Sequence, residues 1–89
     1  IMSMKLKNGF VARNMGNSQI MVATGSANFS GMVRLNASAA FIVSCLGKET
    51  TREQIIAQML DKYDAPEAVL AADVDKVLTS LRGIGAIDE

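Results

Sequence analysis

Apolar and polar positions along the chain change their period near residue 36. Before it they come in short runs that alternate, and after it they recur every three to four residues. Residues 9–13 and 19–23 are two apolar runs around Asn14, Met15, Gly16, Asn17 and Ser18, a cluster of turn formers, which predicts a β-hairpin. A second loop over residues 24–30 leads into residues 31–35, where Val33 and Leu35 share one face and Met32 and Arg34 the other. Three short strands in succession predict a small antiparallel sheet. Residues 1–8 are polar and without a period, so they are expected to be a loose N-terminus contributing little, Met2 and Met4 included.

Three helices follow. Asn36 is a strong N-cap, because its side chain accepts a bond from a free N–H of the first turn. The first helix is predicted over 37–46, with Ala40, Phe41, Ser44 and Cys45 at helical spacing, Ile42 and Leu46 beside them, and Gly47 ending it in the left-handed geometry. Thr51 and Gln54 form a capping box, and Ile55, Ile56, Met59, Leu60 and Tyr63 make one apolar stripe, giving a second helix over 52–63. Asp64 can cap a third helix over 66–82, with Pro66 in its first turn. Leu70, Val74, Val77, Leu78, Leu81 and Ile84 keep the spacing, and Gly83 and Gly85 stop it. The expected architecture is α+β, a three-stranded antiparallel sheet and then three helices, in one domain over residues 9–89.

Composition narrows the chemistry. Among 89 residues there are no histidines and one cysteine, Cys45, so Ser–His and Cys–His pairs, an internal disulfide and Cys/His metal sites are all excluded. The carboxylates Asp61, Asp64, Glu67, Asp73 and Asp75 fall on helix faces or caps, where solvated charge is the default. Asp73 and Asp75, two apart on a helix, point to different sides. Gly83 and Gly85 follow a helix instead of opening one, so they are no phosphate cradle. No catalytic residue, cofactor or metal ligand is assigned, and the chain is not read as an enzyme. No run is long enough to span a membrane and no signal peptide is visible, which with the single thiol fits the cytoplasm.

Net charge is zero but uneven. Residues 1–35 carry Lys5, Lys7, Arg13 and Arg34 and no acid, whereas residues 36–89 carry five basic and nine acidic side chains. Strands with three helices also suit a winged-helix DNA-binding regulator. The helices disfavour it: Arg52 and Lys62 sit with Glu53 and Asp61, and Lys76 and Arg82 with Glu67, Asp73 and Asp75, which leaves few cations for phosphates. The sheet itself has an edge, and if residues 31–35 stay open on one side, an extended peptide can pair there. Pattern alone leaves this open against an inert fold with a blunted edge, and against a structural dimerisation module.

Leu35-Asn36-Ala37-Ser38-Ala39-Ala40-Phe41-Ile42, then Leu46-Gly47, the capped Thr51 to Ile55, Tyr63-Asp64, Asp73-Val74, Val77-Leu78, Leu81 and Gly85-Ala86-Ile87 together resemble the PqqD family, whose broader members are recognition elements of ribosomal peptide maturation. The chain differs from the family pattern in carrying Phe41 in place of the Trp or Phe often found near Val43, in lacking an acid before Gly47, and in having Cys45 for a leucine. The pathway stays open between pyrroloquinoline quinone and another modified peptide. The resemblance implies a winged helix-turn-helix-like fold and a non-catalytic carrier that binds a precursor (leader) peptide as an added strand. The carrier hands that peptide to a radical S-adenosylmethionine or other modifying enzyme and holds no cofactor. Carried over, the peptide-binding residues are Met32, Val33, Arg34 and Leu35 on the strand, and Val69, Asp73, Lys76, Val77 and Ser80 on the third helix. Leu70, Val74, Leu78 and Leu81 go to the core, and Asp73 and Arg34 are candidates for fixing peptide direction by charge. A homodimer through the sheet edge is left open.

Overall fold

A computed structural model describes residues 3–16, 18–23 and 32–89 of the chain. The elements run β1 (Lys5–Leu6), β2 (Phe10–Met15), β3 (Ser18–Ala23), β4 (Met32–Leu35), α1 (Ala37–Cys45), α2 (Arg52–Lys62), α3 (Glu67–Gly83) and β5 (Ile87–Asp88). The expected loop over 24–30, and Gly31 at the head of the third strand, lie outside the described residues.

β2, β3 and β4 form an antiparallel sheet in that order. The hairpin is tighter than its polar cluster suggests: Asn14 pairs with Gln19 and Met15 with Ser18. Gly16 makes the turn with φ +64°, where a β-carbon would be strained. Register sorts the side chains into two faces. Phe10, Met21 and Leu35 turn to the core, with Val33 packed against it. Met32 and Arg34, paired with Val22 and Ile20, turn the other way and are exposed.

The helix starts follow local chemistry. Asn36 Oδ1 accepts from the Ala39 N–H at 2.8 Å. Thr51 Oγ1 accepts from the Gln54 N–H at 3.1 Å while Gln54 Oε1 accepts from the Thr51 N–H at 3.1 Å, completing the capping box. α3 ends in a Schellman arrangement. The Ala86 N–H reaches the Leu81 carbonyl at 2.9 Å, the Gly85 N–H reaches Arg82 at 3.1 Å, and Gly85 takes φ +75°.

Several details depart from the expectations. Residues 4–7, read as loose, are bonded both to the connection between α1 and α2 and to the C-terminal segment. β1 pairs antiparallel with β5, and Leu6 and Lys7 donate to the Leu46 and Ala86 carbonyls, both at 2.8 Å. Met4 is 6% exposed and belongs to the core. Only two or three residues pair at each place, too few to show as a period. Gly47 does not take a left-handed conformation, because Leu46 closes α1 at φ −83° and ψ 3°. Asp64 does not cap α3. The chain is extended at Tyr63 and bends at Ala65, and Pro66 is the N-cap, whose carbonyl accepts from Val69 and Leu70 at 3.0 and 3.2 Å.

Two predicted stripes shift as well. On α1, Ile42, Val43, Cys45 and Leu46 are buried and Ser44 is exposed, because the helix is covered by the sheet and by both other helices. On α2, Ile55, Ile56 and Met59 are buried, but Leu60 is 40% exposed and Tyr63 only half-buried. The Tyr63 ring packs edge-on to Phe41 at 6.1 Å, with Lys62 Nζ 5.2 Å from the Phe41 centroid. That corner joins α1 to α2 through amphipathic rings whose rims stay wet.

The core combines Met4, Phe10, Met21 and Leu35 with Ile42, Val43 and Leu46 of α1 and its C-cap. From the other helices it takes Ile55, Ile56 and Met59 of α2 and Leu70, Val74, Leu78 and Leu81 of α3. It is aliphatic apart from one phenylalanine. The four α3 positions expected to be core are all 4% exposed or less.

Candidate functional site

β4 is the last strand of its sheet. Its inner side pairs with β3, and among the described residues no strand occupies its outer side. In an antiparallel strand every second residue directs its N–H and C=O away from the neighbour. The outer margin of Met32–Leu35 therefore presents backbone donors and acceptors to a newcomer.

Beside that margin lies a groove of ≈ 300 Å³. Val33, Arg34 and Leu35 line one side, Asp73, Lys76, Val77, Ser80 and Leu81 of α3 the other, and Asn36, Ser38 and Ala39 close one end. Spacing explains the α3 side: Asp73, Lys76, Val77 and Ser80 stand at i, i+3, i+4 and i+7 on one flank, next to the buried stripe. Burial grades across the groove, from Leu81 and Leu35, nearly inaccessible, through half-buried Val33 and Val77, to exposed Lys76 and Ser80. The result is an apolar floor with a polar rim, which is what ligand grooves generally have.

Seven of the nine residues singled out on the sequence converge here. Met32 and Val69 do not line the groove. Met32 is 65% exposed on the outer face of the sheet, and Val69 is 52% exposed one turn before Asp73. Arg34 borders the groove through its place in the strand, but its side chain shares the outer face with Met32. Arg34 and Asp73 therefore flank the margin from opposite sides. Asn36, Ser38 and Ala39 were not anticipated as groove residues. The signal for them was the Leu35-Asn36 step, which leaves no connector between strand and helix and so sets the first turn of α1 against the margin.

A larger hollow of ≈ 530 Å³ adjoins the groove and shares Arg34, Leu35 and Asn36 with it. Its remaining lining, Asn14, Gly16, Ser18, Gln19 and Ala37, is mostly polar. The smaller groove is the better candidate because apolar side chains and an unpaired backbone edge meet there.

Charge nearby is organised outside the groove. Arg52 Nε and Nη2 donate to the two Asp75 oxygens at 2.6 and 3.0 Å, and Arg82 donates to Glu89 at 2.9 and 3.1 Å. These bonds hold Asp75 and Glu89 below the usual carboxylate range and push both guanidinium groups up. Asp73, Lys76 and Arg34 take part in no such pair among the described residues. Burial pushes the Cys45 thiol up, and its Sγ lies 3.1 Å from Gln58 Oε1, remote from the groove. Among the described residues no group of three or more His, Cys, Asp or Glu side chains could hold a metal ion, and no helix is long and apolar enough to cross a membrane.

A three-stranded antiparallel sheet followed by three helices, with β4 at one edge of the sheet beside α3, is a winged-helix-like α+β fold. The chain belongs to the PqqD family: the profile of "Coenzyme PQQ synthesis protein D (PqqD)" matches residues 19–87. Two solved structures share the fold. "TbiB1 in Complex with the TbiA(beta) Leader Peptide" superposes with a TM-score of 0.75 at 17% identity, covering 94% of each chain. "Lasso peptide synthetase B1 complexed with the leader peptide" gives 0.76 at 17% identity, covering 97% of this chain and 98% of the other. No curated protein matches the chain.

Proposed function

We propose that this domain is a non-catalytic carrier that takes a precursor (leader) peptide as a fourth strand on β4 and presents it to a peptide-modifying enzyme. The observation that carries the reading is the unpaired outer margin of Met32–Leu35 beside an apolar-floored groove on α3. Main-chain bonds along the margin supply affinity that tolerates sequence, and the groove between Val33 and Val77 selects side chains. Met32, Val33, Arg34, Leu35, Val69, Asp73, Lys76, Val77 and Ser80 are the proposed contacts. Family membership supports the reading, as do the leader peptides named with the two structures of the same fold. The receiving enzyme is a radical S-adenosylmethionine protein or another maturase, and the compartment is the cytoplasm.

The test is a titration, followed by NMR, with the leader of a precursor encoded beside this gene. Low-micromolar binding, with shifts confined to β4, the first turn of α1 and the groove flank of α3, is the expected result. Absence of binding, or an obligate dimer in solution that buries β4 against a second copy, overturns the proposal.

A further inference from the structure

The added strand would have two faces, and only one of them looks into the groove. Successive residues of a strand point to opposite sides, so the residue paired with Val33 would face α3. The residues paired with Met32 and Arg34 would lie on the outer face of the sheet. That outer face is laid out in rows. In register across the three strands stand Val11, Val22 and Met32, and next to them Arg13, Ile20 and Arg34. The first row is apolar, with Val11 37% and Met32 65% exposed. The second places an arginine on either side of Ile20, which is 7% exposed although it stands apart from the hydrophobic core. No acid neutralises this row from within, since residues 1–35 contain none and neither arginine has an ion-pair partner among the described residues.

A fourth strand continues both rows. Directly opposed side chains on a sheet interact, and opposite charges or apolar pairs in those places are favourable. Resting on the strand-addition reading, we infer that the peptide recognised here carries an acidic residue opposite Arg34 and an apolar residue opposite Met32, two positions apart, with an apolar residue between them facing Val33 and Val77. The domain thus reads both faces of its peptide, the groove face by shape and the outer face by charge. The order of the two outer residues reports direction. The acid comes first if the peptide runs antiparallel to β4 and second if it runs parallel.

The experiment is selection of a random dodecapeptide display library on the immobilised domain, wild type and Arg34→Glu, with Arg34→Lys as the conservative control. Arg34 is exposed, so the variants keep the fold, which circular dichroism verifies. The expected result is peptides whose binding shifts β4 and which carry acid-x-apolar or apolar-x-acid, the acid enriched about threefold or more. Arg34→Lys keeps that preference and Arg34→Glu exchanges the acid for Lys or Arg. Peptides that bind at β4 with no acid preference, or identical peptides from wild type and Arg34→Glu, overturn the inference and leave strand addition standing. If no peptide is enriched at β4, strand addition falls and the inference with it.

Discussion

Met4 and Thr50 exchange both of their backbone hydrogen bonds, Met4 N–H to Thr50 at 2.7 Å and Thr50 N–H to Met4 at 2.8 Å. This pair joins the start of the chain to the loop between α1 and α2, and it lies next to the capping box that opens α2. Among the described residues Thr50 is the one buried polar residue, and its Oγ1 donates to Gln54 Oε1 at 3.2 Å. The N-terminal segment therefore closes the bottom of the core. Met4→Ala is expected to cost about 2 kcal/mol, the low end for truncating a buried large side chain. Removal of residues 1–8 is expected to cost more, since β5 would lose its partner. Urea denaturation measures both.

On α2 the corrected stripe gives a paired test. Met59 is wholly buried, so Met59→Ala should destabilise by about 2–4 kcal/mol. Leu60, adjacent and partly exposed, should tolerate alanine within about 1 kcal/mol. Equal losses in thermal denaturation would restore the stripe expected from spacing alone.

Asp75 links α3 to the first turn of α2 through Arg52. Its carboxyl titrates lower in the folded than in the unfolded protein, chiefly through the hydrogen bonds from Arg52 and then through that residue's charge. Such a group stabilises the fold above its unfolded pKa of about 3.9, and the contribution is lost as pH falls through the lower folded value. Wild type should therefore exceed Asp75→Asn in stability near pH 7 and converge with it in strong acid. The gap should shrink with added salt because the pair is solvent-exposed. Denaturation midpoints across the acid range check this.

Within the groove, Val77 is the residue to charge. It is half-buried and packs against the core, so Val77→Glu should cost about 1–2 kcal/mol of stability and still fold, while the added carboxylate would lie on the apolar side of an incoming strand. Affinity for a leader peptide is expected to fall about tenfold or more by calorimetry, whereas Glu53→Gln on the distant end of α2 should change nothing.

Cys45 should behave as a core side chain and not as a reactive thiol. It is 7% exposed and its thiol is pushed up by burial, which keeps the thiolate scarce at neutral pH. Alkylation by iodoacetamide is expected to track global unfolding across a urea series. Fast labelling of the native protein would contradict the packing of α1 on α2.

The family pattern was legible because it is written in contiguous chemistry. Asn36, the Thr51 and Gln54 box and the Gly85 stop act over three to five residues, so reading along the chain finds them, and with them the order of strands and helices. The core residues of α3 were legible for the same reason, since one continuous stripe of the helix is buried against α1 and α2 while its other faces stay wet. α1 was misread because several neighbours cover it, and Leu60 because an apolar residue at the right spacing can still face water.

Longer-range relations came only with the tertiary structure. β1 meets β5 across some eighty residues, and no local rule couples segments so far apart. The groove exists because β4 and α3, about forty residues apart along the chain, lie side by side. Whether the β4 margin is free depends on what every other segment does, which no local pattern encodes. Local sequence determined β2, β3, β4 and the three helices through caps, turns and periods, but not β1 and β5 or the limits at Gly47 and Asp64. Packing alone decided that the β4 margin lies beside α3, which flank of α3 faces it, and that Arg34 and Asp73 stand on opposite sides of it, because these follow from register and contact between segments that only folding brings together.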